Sequence, residues 1–295
     1  MNTFRLDYDA AGGLLNPSGR DLFLAALKAR PDSDILFVAH GWLNDRLASQ
    51  RLFNFFAQGL APKLVCGVSW PSHPWKSNAA GLVKGGAELA SYYLMKERAA
   101  KVGAAFAGDL RRLHAELPDL RIHLAGHSFG ARLVTAAAQA SAPDGAAPFI
   151  ASMTLVQAAF SHNSFAPEGG FRDVLSRRLV RGPILVTHST HDRAIGQGYP
   201  LASRLKKQNA SSLGDASDPY GGLGRNGALG LTPAECMHLN LGDLQSLRAF
   251  LAYPVINLNA DRVFQGHTDI EKLELLETLK SLWSPADTAL PDPQS

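Results

Sequence analysis

RIHLAGHSFGARLVTAAAQ, residues 121–139, joins two kinds of sequence at a single serine. The apolar run Ile122 to Ala125 has the length and composition of a buried strand, and the stretch after Gly130 is rich in good helix formers. Between them lies Gly126-His127-Ser128-Phe129-Gly130, a GxSxG pattern. A serine at a sharp strand-to-helix corner is held above the sheet in a strained, exposed turn. The flanking glycines let neighbouring backbone approach it, which is the setting of a nucleophile elbow. A serine that opens a helix also serves as an ordinary N-cap. The pentapeptide does not separate these readings, so the rest of the chain must be searched for a base and for an acid to orient it.

Five further apolar runs share the character of the first: Asp34 to Gly41, Lys63 to Pro71, Ala151 to Phe160, Pro183 to Asp192 and Ala252 to Asp261. Amphipathic stretches separate them. Leu47, Leu52, Phe55, Phe56 and Leu60 recur at helical spacing, and Ala87 to Leu117 reads as a long helix or helix pair ended by Pro118. This alternation predicts an α/β fold with a mostly parallel central sheet and helices on both faces. Two stretches break the rhythm. The segment 161–182 carries Pro167, Gly169 and Gly170 and suits a small cap. The segment 207–235, rich in Gly, Ser and Asn, suits a lid or mobile loop. One domain over 1–283 is expected, with 284–295 a disordered tail.

Totals narrow the function classes. The chain has 295 residues, 46% hydrophobic and 19% charged, which fits a globular domain able to bury a core without covalent staples. Its formal charge of +3 is small and its Lys and Arg are dispersed, which argues against nucleic acid as a partner. Cys66 and Cys236 make neither a cysteine framework nor a CxxC pair, so no disulfide and no thiolate zinc site is expected. The N-terminus lacks a basic start followed by an apolar core, and no apolar run reaches about 18 residues. Neither a signal peptide nor membrane insertion is expected, and the cytoplasm is the default compartment. Oligomeric state leaves no mark in the sequence.

A base and an acid stand where a serine hydrolase needs them. Asp192 closes ILVTHSTHD just past a strand, and His267 lies in NADRVFQGHTDI after the last one, giving the chain order Ser128, Asp192, His267. His238 is the alternative base, and Asp261 and Asp243 are alternative acids. His40 reads as a brace for the loop after the first apolar run, and His127 as a supporting neighbour of the serine. His188 and His191 crowd Asp192, yet no HExxH helix or comparable spacing supports a metal. The glycines of GGLGRNG follow no strand and precede no GKS or GKT, so they make no nucleotide loop.

With AHGW, GHSFG, THSTHD and GHTD in this order over Asp34 to Trp283, the chain resembles the α/β-hydrolase superfamily at the level of a lipase- or esterase-like serine hydrolase. The resemblance implies Ser128 as nucleophile, His267 as general base and Asp192 as its orienting acid. It also implies an oxyanion hole from the backbone N–H groups of Phe129 and Trp42, and no metal or organic cofactor. Trp42, Leu43, Trp70, Phe129 and Phe160 are expected around an apolar pocket for a small-molecule ester or acyl substrate, with Trp75 on a Pro-braced wall nearby. A serine at the elbow sets the chain apart from dehalogenases and epoxide hydrolases, which carry Asp there. Ester, thioester and amide hydrolysis, acyl transfer, and ligand binding without turnover all remain open on these residues.

Overall fold

The computed structural model describes residues 4–29, 34–61, 63–73, 86–143, 145–195 and 221–283. The six apolar runs form six strands, and two more flank them: β1 (Phe4–Asp7), β2 (Asp34–Ala39), β3 (Leu64–Ser69), β4 (Arg121–His127), β5 (Ile150–Val156), β6 (Ile184–His188), β7 (Cys236–Asn240) and β8 (Val255–Asn259). They make one eight-stranded sheet in the order β1-β3-β2-β4-β5-β6-β8-β7, parallel at every pairing. The two strands without an apolar signature are the two edges. In β1 only Leu6 is buried, and in β7 no residue is, so neither needs the continuous apolar run of a strand covered on both faces. Asn16 shields the β1 edge, accepting from the Asp7 N–H at 2.8 Å and donating to the Arg5 carbonyl at 2.8 Å as a neighbouring strand would.

Eight helices accompany the strands among the described residues: α1 (Pro17–Lys28), α2 (Arg46–Gly59), α3 (Gly86–Glu116), α4 (Phe129–Ser141), α5 (Arg172–Ser176), α6 (Leu223–Asn226), α7 (Leu244–Ala249) and α8 (Leu273–Ser281). Pro17 supplies the first turn of α1 with a fixed φ, and the Asp45 carboxylate caps α2 by accepting from the Ala48 N–H at 2.7 Å. One sheet face buries Phe106, Leu110, Leu133 and Val134 of α3 and α4, with Phe23 and Leu27 of α1. The other buries Leu52, Phe53 and Phe56 of α2 with Leu275 and Leu279 of α8. Each such side chain contributes about 1.5–3 kcal/mol on burial.

The strand order also locates the crevice. From β2 the chain winds to β3 on one side, and from β4 to β5 on the other. The winding therefore reverses between β2 and β4, and the loops leaving their carboxyl ends part to opposite faces. Open parallel sheets bind ligands at such a switch point. The loop after β2 begins at His40, and β4 runs directly into Ser128.

The segments that break the rhythm resolve unevenly. The expected cap over 161–182 is a run of turns with the single short helix α5. Of the expected lid over 207–235, residues 207–220 lie outside the described residues, as do Trp75 and the tail 284–295. The remainder is a fastened wall and not a free loop. The N–H groups of Leu223, Gly224 and Leu229 donate to the carbonyls of Phe160, Ala158 and His162 at 2.9, 3.0 and 2.9 Å, and the Ser189 N–H donates to the Gly224 carbonyl at 2.9 Å. No helix among the described residues is long and apolar enough to cross a membrane.

Helices α3 and α4 touch through Gly103, where an added Cβ would lie 2.5 Å from the Leu133 carbonyl oxygen and 2.9 Å from the Ala136 Cβ. At Gly108, one turn on and facing away, the nearest atom would be an Arg111 nitrogen at 3.8 Å. Gly103→Ala is therefore expected to destabilise by about 1–3 kcal/mol through overpacking, and Gly108→Ala to stabilise by up to about 1 kcal/mol. Thermal melts of the two variants should move in opposite directions; equal shifts would contradict this helix packing.

Candidate active site

Ser128 holds φ 57° and ψ −120°, a left-handed backbone that a non-glycine residue adopts only under local constraint. Three hydrogen bonds impose it. The Ser128 N–H donates to the Val156 carbonyl at 3.0 Å, and the Ser128 carbonyl accepts from the N–H groups of Ala131 and Ala159 at 3.1 Å each. Two glycines make room for the turn. A Cβ on Gly126 would lie 2.4 Å from Gly130, and one on Gly130 would lie 2.3 Å from the Ala39 carbonyl oxygen. The serine side chain does not cap α4. Its Oγ lies 2.9 Å from His267 Nε2, and Nδ1 of that ring lies 2.9 Å from Asp192 Oδ2.

Each member of this chain is carried by a different strand end. Asp192 follows β6 and is 0% exposed, with its other carboxylate oxygen accepting from the Ile195 N–H at 2.9 Å. His267 lies in the loop after β8, and its side chain is 18% exposed against 4% for Ser128, so the chain of groups opens towards solvent at the imidazole and is dry at the acid. The two carrier loops are tied together by Asp261, whose Oδ1 accepts from the Ser189 hydroxyl, the Thr190 N–H and the Thr190 hydroxyl at 2.9, 2.6 and 3.1 Å. These bonds hold the Asp261 carboxyl below its usual range in spite of its partial burial. Of the alternative acids, Asp261 thus fixes the turn that presents Asp192, and Asp243 caps α7 through the Ser246 N–H. The alternative base His238 stands on the edge strand beside Cys236.

His127 does more than neighbour the serine. Its Nε2–H donates to the His267 carbonyl at 2.8 Å, with the two rings 4.9 Å apart. On its other side Gly41 passes so close that a Cβ there would lie 2.9 Å from His127 Nδ1 and 2.9 Å from Ser128 Cβ. One buried imidazole therefore packs between the loop after β2 and the loop bearing His267. Burial, aided by the nearby His267, pushes its pKa down to about 3. His40 is likewise buried and pushed down to about 4. It donates to the Gly41 carbonyl at 3.0 Å and accepts from the Trp70 N–H at 3.2 Å, while the Trp70 indole donates to the His40 carbonyl at 2.9 Å. It braces the loop, as its place in the sequence suggests.

The apolar residues expected to line a pocket divide. Trp70, Phe129 and Phe160 are buried in the core, Phe160 among Phe165 and Phe171 and Phe129 edge-on to Trp42. Trp42 is half-buried, and Leu43, at φ 59°, is 55% exposed. Sequence reasoning passed over Gln157. It follows β5 at φ 45°, is fully buried, donates its N–H to the Thr187 hydroxyl at 3.1 Å and leaves its side-chain amide without a partner among the described residues. Nothing in VQAAF signals this conformation.

The opposite edge of the sheet holds a second chain of the same residue types. His123 lies 2.7 Å from the Ser152 hydroxyl through Nδ1 and 3.0 Å from Asp34 through Nε2. Its setting differs in each respect that matters. Asp34 is already met by Lys63 and Arg121 at 3.0 and 3.3 Å, and Ser152 sits within strand β5 with no left-handed turn to lift it. That network fastens the strand starts of β2, β4 and β5. Among the described residues no cluster of three or more His, Cys, Asp or Glu could hold a metal.

The sequence matches the model of the alpha/beta hydrolase family over residues 35–288. No curated protein sequence matches it. Among solved structures it is similar to a Thermus thermophilus protein at 15% identity, covering 85% of this chain and 90% of that one with a TM-score of 0.42. It is similar to an acetylxylan esterase at 12% identity, covering 85% and 99% with a TM-score of 0.40. A cutinase-like protein from Cryptococcus sp. follows at 11% identity, covering 85% and 91% with a TM-score of 0.33.

The two dry imidazoles near the serine make stability depend on pH. Their folded pKa values lie below the ordinary 6.5, so from pH 6.5 down to about 4 the unfolded chain takes up protons that the folded chain refuses. Stability should fall by about 1.4 kcal/mol per pH unit for each histidine across that window. Urea midpoints at pH 7, 5.5 and 4.5 should decline steadily; an unchanged midpoint would contradict the neutral, buried state of His40 and His127.

Proposed function

The chain belongs to the alpha/beta hydrolase family, and from that premise we propose that it hydrolyses a carboxylic ester of a small molecule through an acyl-Ser128 intermediate. The observation that carries the reading is the continuous hydrogen-bonded chain from Ser128 Oγ through His267 to the buried Asp192. His267 Nε2 takes the Oγ proton as the oxygen attacks the acyl carbon, and the tetrahedral intermediate collapses as the same proton passes to the departing alcohol. A water then attacks the acyl-enzyme carbonyl, giving its proton to His267 and releasing the acid with Ser128 restored. Asp192 accepts from Nδ1–H throughout, which keeps Nε2 free to accept and stabilises the imidazolium. This chemistry draws on no metal or organic cofactor.

The developing oxyanion would be met by the backbone N–H groups of Phe129 and Trp42. Supporting this, Phe129 is the first residue of α4, and Gly41, directly before Trp42, lies against Ser128. Braced by His40 and Trp70, the loop after β2 needs little reorganisation to hold such a donor, and one donor contributes about 100- to 1000-fold in rate.

Hydrolysis of short-chain p-nitrophenyl esters is the direct test. Wild type should turn them over with saturation, and Ser128→Ala should lower kcat by at least about 10,000-fold. Equal rates in the two proteins would refute the assignment. His127→Phe, which removes one hydrogen bond to the His267 loop but keeps a ring of similar size, should lower kcat about 10- to 100-fold with KM within about two-fold. A change in KM alone would show that His127 does not position the base.

A further inference from the structure

Among the described residues four that are not glycine stand on left-handed backbone: Leu43, Ser128, Gln157 and Arg178. The first three follow β2, β4 and β5, neighbours in the sheet, at their carboxyl ends. Backbone strain of this kind persists only where the surroundings enforce it, and it gathers at functional sites. Ser128 and Gln157 are buried, whereas Leu43 is 55% exposed. Leu15, Leu22, Leu47 and Leu273 are as exposed, but none of them has a positive φ, and scattered surface leucines call for no explanation. Leu43 is the one apolar residue among those described that is both strained and open to solvent. Glycine or asparagine would suit its φ better, and a polar side chain its exposure. Neither backbone nor burial selects a leucine here.

The backbone that presents it is fixed on both sides. Gly41 lies against Ser128, and the Trp42 ring stands edge-on to Phe129 with centroids 6.0 Å apart. The Leu43 N–H donates to the Ser72 carbonyl at 3.2 Å, the Ser72 hydroxyl donates to the Asn44 carbonyl at 3.0 Å, and Asp45 caps α2. Two residues of chain span at most about 7 Å, so the Leu43 backbone stays close to the contact between Gly41 and Ser128. An exposed apolar side chain on backbone already held in place gives up little freedom when a ligand covers it.

We propose that Leu43 contacts the acyl group of the substrate and selects esters of longer, apolar acids over acetates. The proposal rests on the esterase reading and deepens it by naming the class of acid. His267 passes its proton to the departing alcohol, which therefore lies on the side of Nε2. The carbonyl oxygen turns to the N–H groups of Phe129 and Trp42, and the acyl substituent takes the direction left over. In the sheet β4 stands between β2, which leads to Leu43, and the pair β6 and β8, which lead to Asp192 and His267. The acyl chain extends away from His267, along the loop after β2. Each methylene that leaves water against Leu43 favours the longer ester, by up to about four-fold where it is fully covered.

The test takes the ratio of kcat/KM for p-nitrophenyl hexanoate to that for p-nitrophenyl acetate, both below micellar concentration, in wild type, Leu43→Asn and Leu47→Asn. The alcohol is constant, so the ratio reads the acyl group alone. Asparagine tolerates left-handed backbone, so Leu43→Asn removes the apolar side chain and keeps the turn. The wild-type ratio should be about ten or more, and it should fall at least about five-fold in Leu43→Asn. Leu47→Asn, the same change on an exposed leucine in the first turn of α2, should leave the ratio within about two-fold. The melting temperature of Leu43→Asn should hold or rise, and a clear fall would show that leucine is kept for packing and would overturn the proposal. A wild-type ratio near one, an unchanged ratio in Leu43→Asn, or the same fall in both variants would also overturn it and leave the esterase reading intact. Failure of wild type to cleave either ester would overturn both.

Discussion

Strand β4 must become helix α4 within the span of Ser128, and that reversal is possible only where two residues have no side chain. Gly130 brings the first turn of α4 to 2.3 Å, measured from an added Cβ, of the Ala39 carbonyl at the end of β2, and Gly126 lets the strand pass Gly130 itself. With those contacts made, Ser128 is left in a left-handed conformation costing about 1–2 kcal/mol, held by backbone bonds to β5 and α4. The same contact brings the loop after β2 against the serine. Position of Ser128, approach of the loop after β2 and seating of His127 are therefore one packing event.

Around that corner Asp192 and His267 are delivered by loops with no covalent reason to meet. Asp261 joins them, spending its carboxylate on the turn after β6 and thereby fixing Asp192 relative to the β8 loop that carries His267. The comparison with Ser152, His123 and Asp34 shows how little residue identity decides alone. There the carboxylate is shared with Lys63 and Arg121, and the hydroxyl stays within strand β5, so the trio acts as a buried fastening. At Ser128 the acid serves the imidazole and one backbone N–H, and the hydroxyl is lifted out of the strand.

The central strands were legible because residues covered on both faces must be apolar on both, as in Ile35 to Ala39 and Ile122 to Ala125. Edge strands escape that requirement, and β1 and β7 left no such trace. Chain order was enough to bring Ser128, Asp192 and His267 forward, since the strands that carry them are the strongly patterned ones. What lay beyond reading were contacts between loops: the clamp formed by His127, the strained Gln157, the anchoring of Gly221 to Leu229, and the burial of Phe160 against Phe165 and Phe171. Each depends on which backbone groups meet across the carboxyl edge, and no local period encodes that.

Whether His267 and Asp192 activate Ser128 is tested most directly by reaction with a fluorophosphonate followed by peptide mapping of the adduct. The account predicts a single adduct on Ser128, slowed by orders of magnitude in His267→Ala although the serine itself is retained. An adduct on Ser152, or labelling of Ser128 at an unchanged rate without His267, would contradict it.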